Sequence, residues 1–186
     1  MDLERERKLV EKAKKDPQAF AELYDFYYPR IFGYILKRVA NIEVTQDITS
    51  ETFFKSLKNI EKFKWRGISL SSWLYRIASN EIVNFFRKGK YRPISFEKIS
   101  EPISPSNPSL EIIEAEEKLK KQRDFLELHE KILKLPDLYQ QVIALRFFEK
   151  KKIKEIAEIL GKKEGTVKSL LHRGLEKLRK LMEKTF

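Results

Sequence analysis

The most pointed chemistry in this sequence lies along one stripe: Arg76, Asn80, Asn84 and Arg87. At about 100° per residue these four positions share one side of a helix. Asn and Arg carry the donors and acceptors that meet base edges, and Arg also grips phosphate. A merely solvated helix face in this chain would show Lys and Glu instead. Just upstream stand Phe63, Trp65 and Trp73, mixed with Lys64 and Arg66 beside Gly67. Aromatic faces stack on unpaired bases, at ~1–3 kcal/mol per base. The combination points to single-stranded DNA. Trp73 lies on the helix and is more naturally a core residue, because aromatics dominate core burial. Trp65 lies in a polar loop and is the better placed of the two for ligand contact.

A second set is Lys168, Ser169, His172 and Arg173, which are cationic or hydrogen-bonding. They fall in the segment IKEIAEILGKKEGTVKSLLHR, from Ile153 to Arg173. Ile153, Ile156, Ala157 and Leu160 form the apolar face of a short helix. Gly161 ends it, since glycine takes a left-handed C-terminal turn at little steric cost. A second helix starts near Glu164, where an acidic side chain suits the helix dipole. This is the helix-turn-helix pattern, in which the second helix enters the major groove of DNA. The plain alternative is a helical hairpin in a bundle. A third set, Asp47 and Glu51, is opposite the apolar side of a helix over roughly 44–60, on which Phe53, Leu57 and Ile60 are expected to be buried. The two carboxylates offer a docking surface for a basic partner or an ordinary solvated face. Acid–base catalysis would need a cleft around them, and nothing nearby in the sequence suggests one.

The elements that must hold these sets are all helical. Asp16-Pro17 is a cap followed by proline at the first helical position. Phe20, Leu23, Tyr24 and Tyr27 then form an apolar stripe. Pro29 is expected to break it, with Ile31, Tyr34, Ile35 and Val39 in a separate helix. A helix over about 71–88 buries Leu74, Ile77, Ala78, Ile82 and Phe85. Pro102, Pro105 and Pro108, among Ser and Asn, mark a linker. A mixed-charge helix over about 111–133 follows, then one opened by Leu135-Pro136. The predicted fold is all-α: two small helical domains, 1–94 and 118–186, joined by a Pro/Ser-rich linker, 95–117.

The chain has 186 residues and a net charge of +11. The charge is +7 over 1–94, −5 over 95–117 and +9 over 118–186. Basic blocks bind polyanions by releasing the counterions condensed on phosphates. With no Cys and two distant His, neither a disulfide framework nor a zinc site is expected. No catalytic set, metal or cofactor is predicted. No apolar run approaches the ~20 residues that span a bilayer, and the charged N-terminus does not read as a signal peptide. A soluble cytoplasmic protein, with no membrane insertion, is the expectation.

Three segments together carry a resemblance. They are Asp47-Ile-Thr-Ser-Glu51-Thr-Phe53, Trp73-Leu-Tyr-Arg-Ile-Ala-Ser-Asn80, and the run from Leu135-Pro136 through Leu145-Arg146-Phe147 to Gly165-Thr166-Val167-Lys168-Ser169. In this order, over about 16–183, the chain resembles a sigma-70 family RNA polymerase sigma factor of the extracytoplasmic-function type. The resemblance implies a promoter-specificity subunit, not an enzyme. Asp47 and Glu51 would dock on the β′ clamp helices of core RNA polymerase, with the β flap a further contact of the subunit. Residues 65–72, including Trp65, Arg66, Ser69 and Ser71, would capture a flipped base of the −10 element. Arg76, Asn80, Asn84 and Arg87 would contact the same element. Lys168, Ser169, His172 and Arg173 would face the −35 major groove. The acidic linker would thread near the polymerase active site and RNA exit path. An anti-sigma factor is a further implied partner. Two positions depart from the family pattern: Ser50, where Gln is usual, and Leu170, where Arg is usual. An exposed Leu170 would be placed to touch a thymine methyl. The rivals are a dimeric helix-turn-helix regulator and an enzyme acting on nucleic acid. The linker and the Asn/Arg stripe argue against the first. The second lacks any metal-ligand cluster, glycine phosphate loop or nucleophile–base pair.

Overall fold

The computed structural model describes residues 1–65, 69–89 and 127–183. The acidic linker, Arg66 and most of the helix expected over 111–133 lie outside them. Among the described residues there are helices and no strands, as the all-α reading requires. The N-terminal unit comprises α1 (Leu3–Ala13), α2 (Pro17–Val39), α3 (Ile42–Asn59) and α4 (Leu70–Arg87), with a 3-10 turn at Ile60–Lys62. The C-terminal unit comprises α5 (127–133), α6 (Asp137–Ile143), a π-helical turn (Ala144–Phe148), α7 (Ile153–Leu160) and α8 (Glu164–Glu183).

Local sequence sets most of these boundaries. Asp16 accepts a hydrogen bond from the Gln18 amide at 2.9 Å, and Pro17 follows as the first helical residue. Asn41 caps α3 through the Val44 amide at 2.9 Å. Gly161 closes α7 at φ 62°, a left-handed conformation open to glycine. Pro29 does not break α2, which runs unbroken through it. A helix-interior proline costs about 3 kcal/mol or more. Tyr27, Ile31, Tyr34 and Ile35 around it are all buried. At roughly 1.5–3 kcal/mol for each large apolar side chain buried, their packing outweighs that cost. Pro29 itself lies on the exposed side.

Helix α3 differs from the sequence reading in which face it buries. Phe53 and Ile60 are buried, but Leu57 is 44% exposed. The buried face is instead made of Thr45, Thr49, Thr52 and Ser56 beside Ile48 and Phe53. Each hydroxyl is satisfied within the helix: Thr45 donates to the Asn41 carbonyl, Thr49 to Thr45, Thr52 to Ile48 and Ser56 to Phe53, at 2.6–2.8 Å. Short side chains with internally bonded hydroxyls let α3 pack closely on α2 and α4 without unpaired polar groups.

The two units share one core. α4 lies against α7, and α2 against the π-helical turn. Glu149 stands at the seam. Its carboxylate accepts from the Tyr75 hydroxyl at 2.6 Å and pairs with Lys37 at 3.2 Å. Burial first, and the Glu149 carboxylate second, raises the Tyr75 phenol far above its ordinary range. Lys151 sits over the Tyr75 ring at 5.0 Å and donates to Ser71 Oγ at 3.3 Å. Arg38, 1% exposed, reaches Gln140 Oε1 at 3.4 Å. The His129 ring is 2.7 Å from the Lys37 carbonyl.

Candidate nucleic-acid interface

The turn after α3 and the first turn of α4 form a cleft of about 290 Å³, lined by Lys62, Phe63, Lys64, Ser69, Ser72, Trp73, Arg76 and Glu158. Phe63 and Trp73 pack with ring centroids 5.1 Å apart, and Trp65 meets Phe63 edge-on at 6.4 Å. Both tryptophans are half-buried, so neither is a fully enclosed core residue. Ser69 caps α4 by accepting from the Ser71 amide at 3.2 Å. Ser72 is buried, and its hydroxyl has no hydrogen-bond partner in the protein. Two lysines, clustered aromatic rings and an unpaired hydroxyl suit a flat, polar-edged, anionic ligand. Ser72 was not singled out from the sequence. Its signal is its position one turn before Arg76, at the head of the polar stripe.

The stripe itself runs along α4. Asn80 and Arg87 are exposed, and Arg87 donates to Asn84 Oδ1 at 3.1 Å. Arg76, Asn80 and Asn84 line a larger cleft of about 790 Å³ whose other wall is Asp137, Leu138, Gln141 and residues 159–162. Arg76 is engaged there. Its Nε donates to the Ile159 carbonyl at 3.0 Å, and an Nη donates to the Glu158 carbonyl. These carbonyls are in the last turn of α7, where unpaired C=O groups and the helix dipole attract a cation. The stripe therefore faces the helix-turn-helix in this arrangement. Ser71 is buried against Lys151.

On α8, Lys168, Ser169, His172 and Arg173 are all exposed. Ser169 donates to the Gly165 carbonyl at 3.0 Å, and Arg173 Nε to the Ser169 carbonyl at 3.3 Å. Leu170 departs from the expectation of exposure: it is 7% exposed and belongs to the buried face of α8 with Val167, Gly174 and Leu178. Helical spacing explains the correction, because residues 167, 170, 174 and 178 share the stripe that seals α8 to the core. Leu170 is therefore not placed to touch a thymine methyl.

Asp47 and Glu51 are exposed on α3, and Glu51 pairs with Lys55 at 3.1 Å. Phe54 stands on the same side and is 60% exposed. Sequence reasoning missed it, although 47, 51 and 54 follow the spacing of one helix face. Among the described residues no group of three or more His, Cys, Asp or Glu is placed to hold a metal, and no helix is long and apolar enough to cross a membrane.

Residues 23–92 match the family Sigma-70 region 2, and residues 125–178 match Sigma-70, region 4. The ECF RNA polymerase sigma factor SigW of Bacillus subtilis is 32% identical, covering 94% of this chain and 95% of that one. The solved structure of CnrH in complex with the cytosolic domain of CnrY shares the fold, at a TM-score of 0.69 and 17% identity, over 96% of this chain and 97% of that one. The sigma factor RpoE in complex with the anti-sigma factor NepR, from Bartonella quintana, does so at 0.62 and 20%, over 88% and 96%. Two family segments in this order, with a relative of that identity across nearly the full length of both chains, mean that the chain belongs to the extracytoplasmic-function sigma factors of the sigma-70 family, which give RNA polymerase its promoter specificity in transcription initiation.

Proposed function

We propose how this chain divides that task among its parts, with residues 1–94 as the core-binding and −10 unit, 95–117 as linker and 118–186 as the −35 unit. The α3 face with Asp47, Glu51 and Phe54 docks on the β′ clamp helices. The aromatic cleft at the head of α4, with Ser69 and Ser72 in its wall and Trp65 packed on Phe63 beside it, takes a flipped base of the non-template −10 strand; Ser71, buried against Lys151, supports the wall from behind. Arg76, Asn80, Asn84 and Arg87 hold the neighbouring strand. Lys168, Ser169, His172 and Arg173 enter the −35 major groove. The subunit performs no catalysis of its own and works where polymerase and chromosome are, in the cytoplasm. The solved relative held by an anti-sigma factor supports such a partner here.

The observation that carries this reading is the cleft. A buried, unpartnered Ser72 hydroxyl lies beside the Phe63 and Trp73 rings and two lysines, directly at the head of an Asn/Arg stripe. Extruding a base costs a few kcal/mol, and a preformed pocket offsets it. Arg76 must release the α7 carbonyls before it meets DNA, so promoter engagement separates α4 from α7. The test compares Trp65→Ala and Asn80→Ala with the parent protein after reconstitution with core polymerase. Open-complex formation falls in both while affinity for core is kept. Equal loss of both properties would remove the assigned roles.

A further inference from the structure

Helix α1 lies outside both matched family segments, yet it sends a carboxylate to Ser69, which lines the cleft. Glu6 is 1% exposed. Its Oε1 accepts three hydrogen bonds: from the Tyr27 hydroxyl at 2.7 Å, from Ser69 Oγ at 3.0 Å and from the Leu70 amide at 2.5 Å. Leu70 is the first residue of α4. Its amide is one of the donors that a helix leaves unpaired at its start, and a carboxylate there also complements the helix dipole. Ser69 is both the cap of α4 and a wall of the cleft, with Ser72 and Trp73 one turn further on. Burying a carboxylate costs several kcal/mol unless it is well paired. An apolar residue would have joined α1 to α2 more simply, as Leu9, Val10 and Ala13 do. The carboxylate has one further effect: it fixes where α4 begins and how Ser69 is turned.

We infer that Glu6 is a positioning residue for promoter opening, holding the Ser69–Trp73 wall of the cleft in the geometry that accepts an unstacked base. Glu6 does not touch DNA. It acts through the Ser69 hydroxyl and the Leu70 amide. Tyr27 secures it from α2, and burial raises the Tyr27 phenol, so this hydroxyl stays a donor. The inference rests on the cleft being the −10 capture site, as proposed above.

The experiment uses the protein assembled with core polymerase. The probe is a fluorescein-labelled single-stranded oligonucleotide with the non-template −10 sequence of a promoter that this holoenzyme transcribes. Glu6→Ala is expected to weaken oligonucleotide binding by about tenfold, the size of one lost charge-assisted hydrogen bond, with core affinity within about twofold of the parent. Glu6→Gln, whose amide oxygen still accepts the three bonds, restores binding to within about twofold of the parent on the same scale. Trp65→Ala reports on the capture site itself. If Trp65→Ala weakens the probe and Glu6→Ala does not, the positioning role is wrong and the capture site stands. If neither weakens it, the capture site fails as well. If Glu6→Ala weakens core and probe binding alike, Glu6 is a general structural prop and the inference fails. Should Glu6→Ala not accumulate as folded protein, Glu6→Asp draws the charge back by one methylene. It must show the same selective loss, and parent-like probe binding by Glu6→Asp would overturn the inference.

Discussion

Replacing Glu149 by Ala should open the seam between the two units while leaving each folded. The Tyr75 hydroxyl donates to this carboxylate at 2.6 Å from a buried position, and Lys37 pairs with it at 3.2 Å. A hydrogen bond to a charged group contributes about 1.5–3 kcal/mol, and leaving a buried donor unpaired costs ~1–3 kcal/mol, so the Tyr75 side of the loss is about 2–3 kcal/mol. Lys37 is partly exposed, so its pair adds under ~1 kcal/mol. Glu149→Ala should therefore cost about 2–4 kcal/mol of association between the units. For a chain of this size each kcal/mol moves Tm by ~2–4 °C. Thermal unfolding followed by circular dichroism should drop by roughly 5–15 °C or split in two. Small-angle scattering of the parent should give a radius of gyration near ~16 Å, the value for a compact chain of this length, and the variant should be larger. Glu149→Gln keeps an acceptor for Tyr75 and should lie between the two. A variant with the parent's Tm and radius of gyration would show that Glu149 does not hold the seam.

Three further outcomes follow from the geometry. Burial first, and Arg38 in addition, lowers the His129 pKa below its ordinary 6.5. The unfolded chain then binds the proton more readily, so the His129 contribution is complete above pH 6.5 and is lost as pH falls from there toward the folded value. Urea midpoints measured between pH 7.5 and 5.5 should fall on acidification, and His129→Gln should flatten that slope. Leu170→Ala should cost about 2–5 kcal/mol, whereas exposed Lys168→Ala should leave stability within ~0.5 kcal/mol and reduce the salt slope of holoenzyme binding to a −35 duplex by about 0.9. Gly161→Ala, at φ 62°, should destabilise the protein by about 1–2 kcal/mol in chemical denaturation.

What the sequence made legible is what rests on local physics. Asp16-Pro17, Asn41 and Gly161 are capping signals that do not depend on distant neighbours, and the helix starts and stops follow them. The outward set on α8 was readable because helical spacing alone separates it from the buried set. Where packing decides, local signals misled. Pro29 read as a break, but buried neighbours on both sides keep α2 intact. Leu57 read as core, but α3 packs through hydroxyls that satisfy themselves within the helix. Family analogy points Leu170 outward, whereas the spacing of Val167, Gly174 and Leu178 places it inward. The Asn/Arg stripe was found from residue types. Its engagement with the α7 carbonyls was not, because that contact joins positions more than eighty residues apart. Glu6 shares the helical face of Leu9, Val10 and Ala13, so spacing places it inward; what it bonds was not readable, because Tyr27, Ser69 and Leu70 stand 21, 63 and 64 residues away.

Promoter specificity is measured by transcription with purified core polymerase, with and without this protein, on fragmented genomic DNA, followed by sequencing of transcript 5′ ends. A sigma factor of this kind gives a stable complex with core and a new set of starts. These starts should lie at a fixed distance downstream of two shared sequence elements, and they should vanish with Asn80→Ala although core binding persists. A protein that forms no complex with core, or that binds duplex DNA alone and leaves the pattern of starts unchanged, would contradict that role.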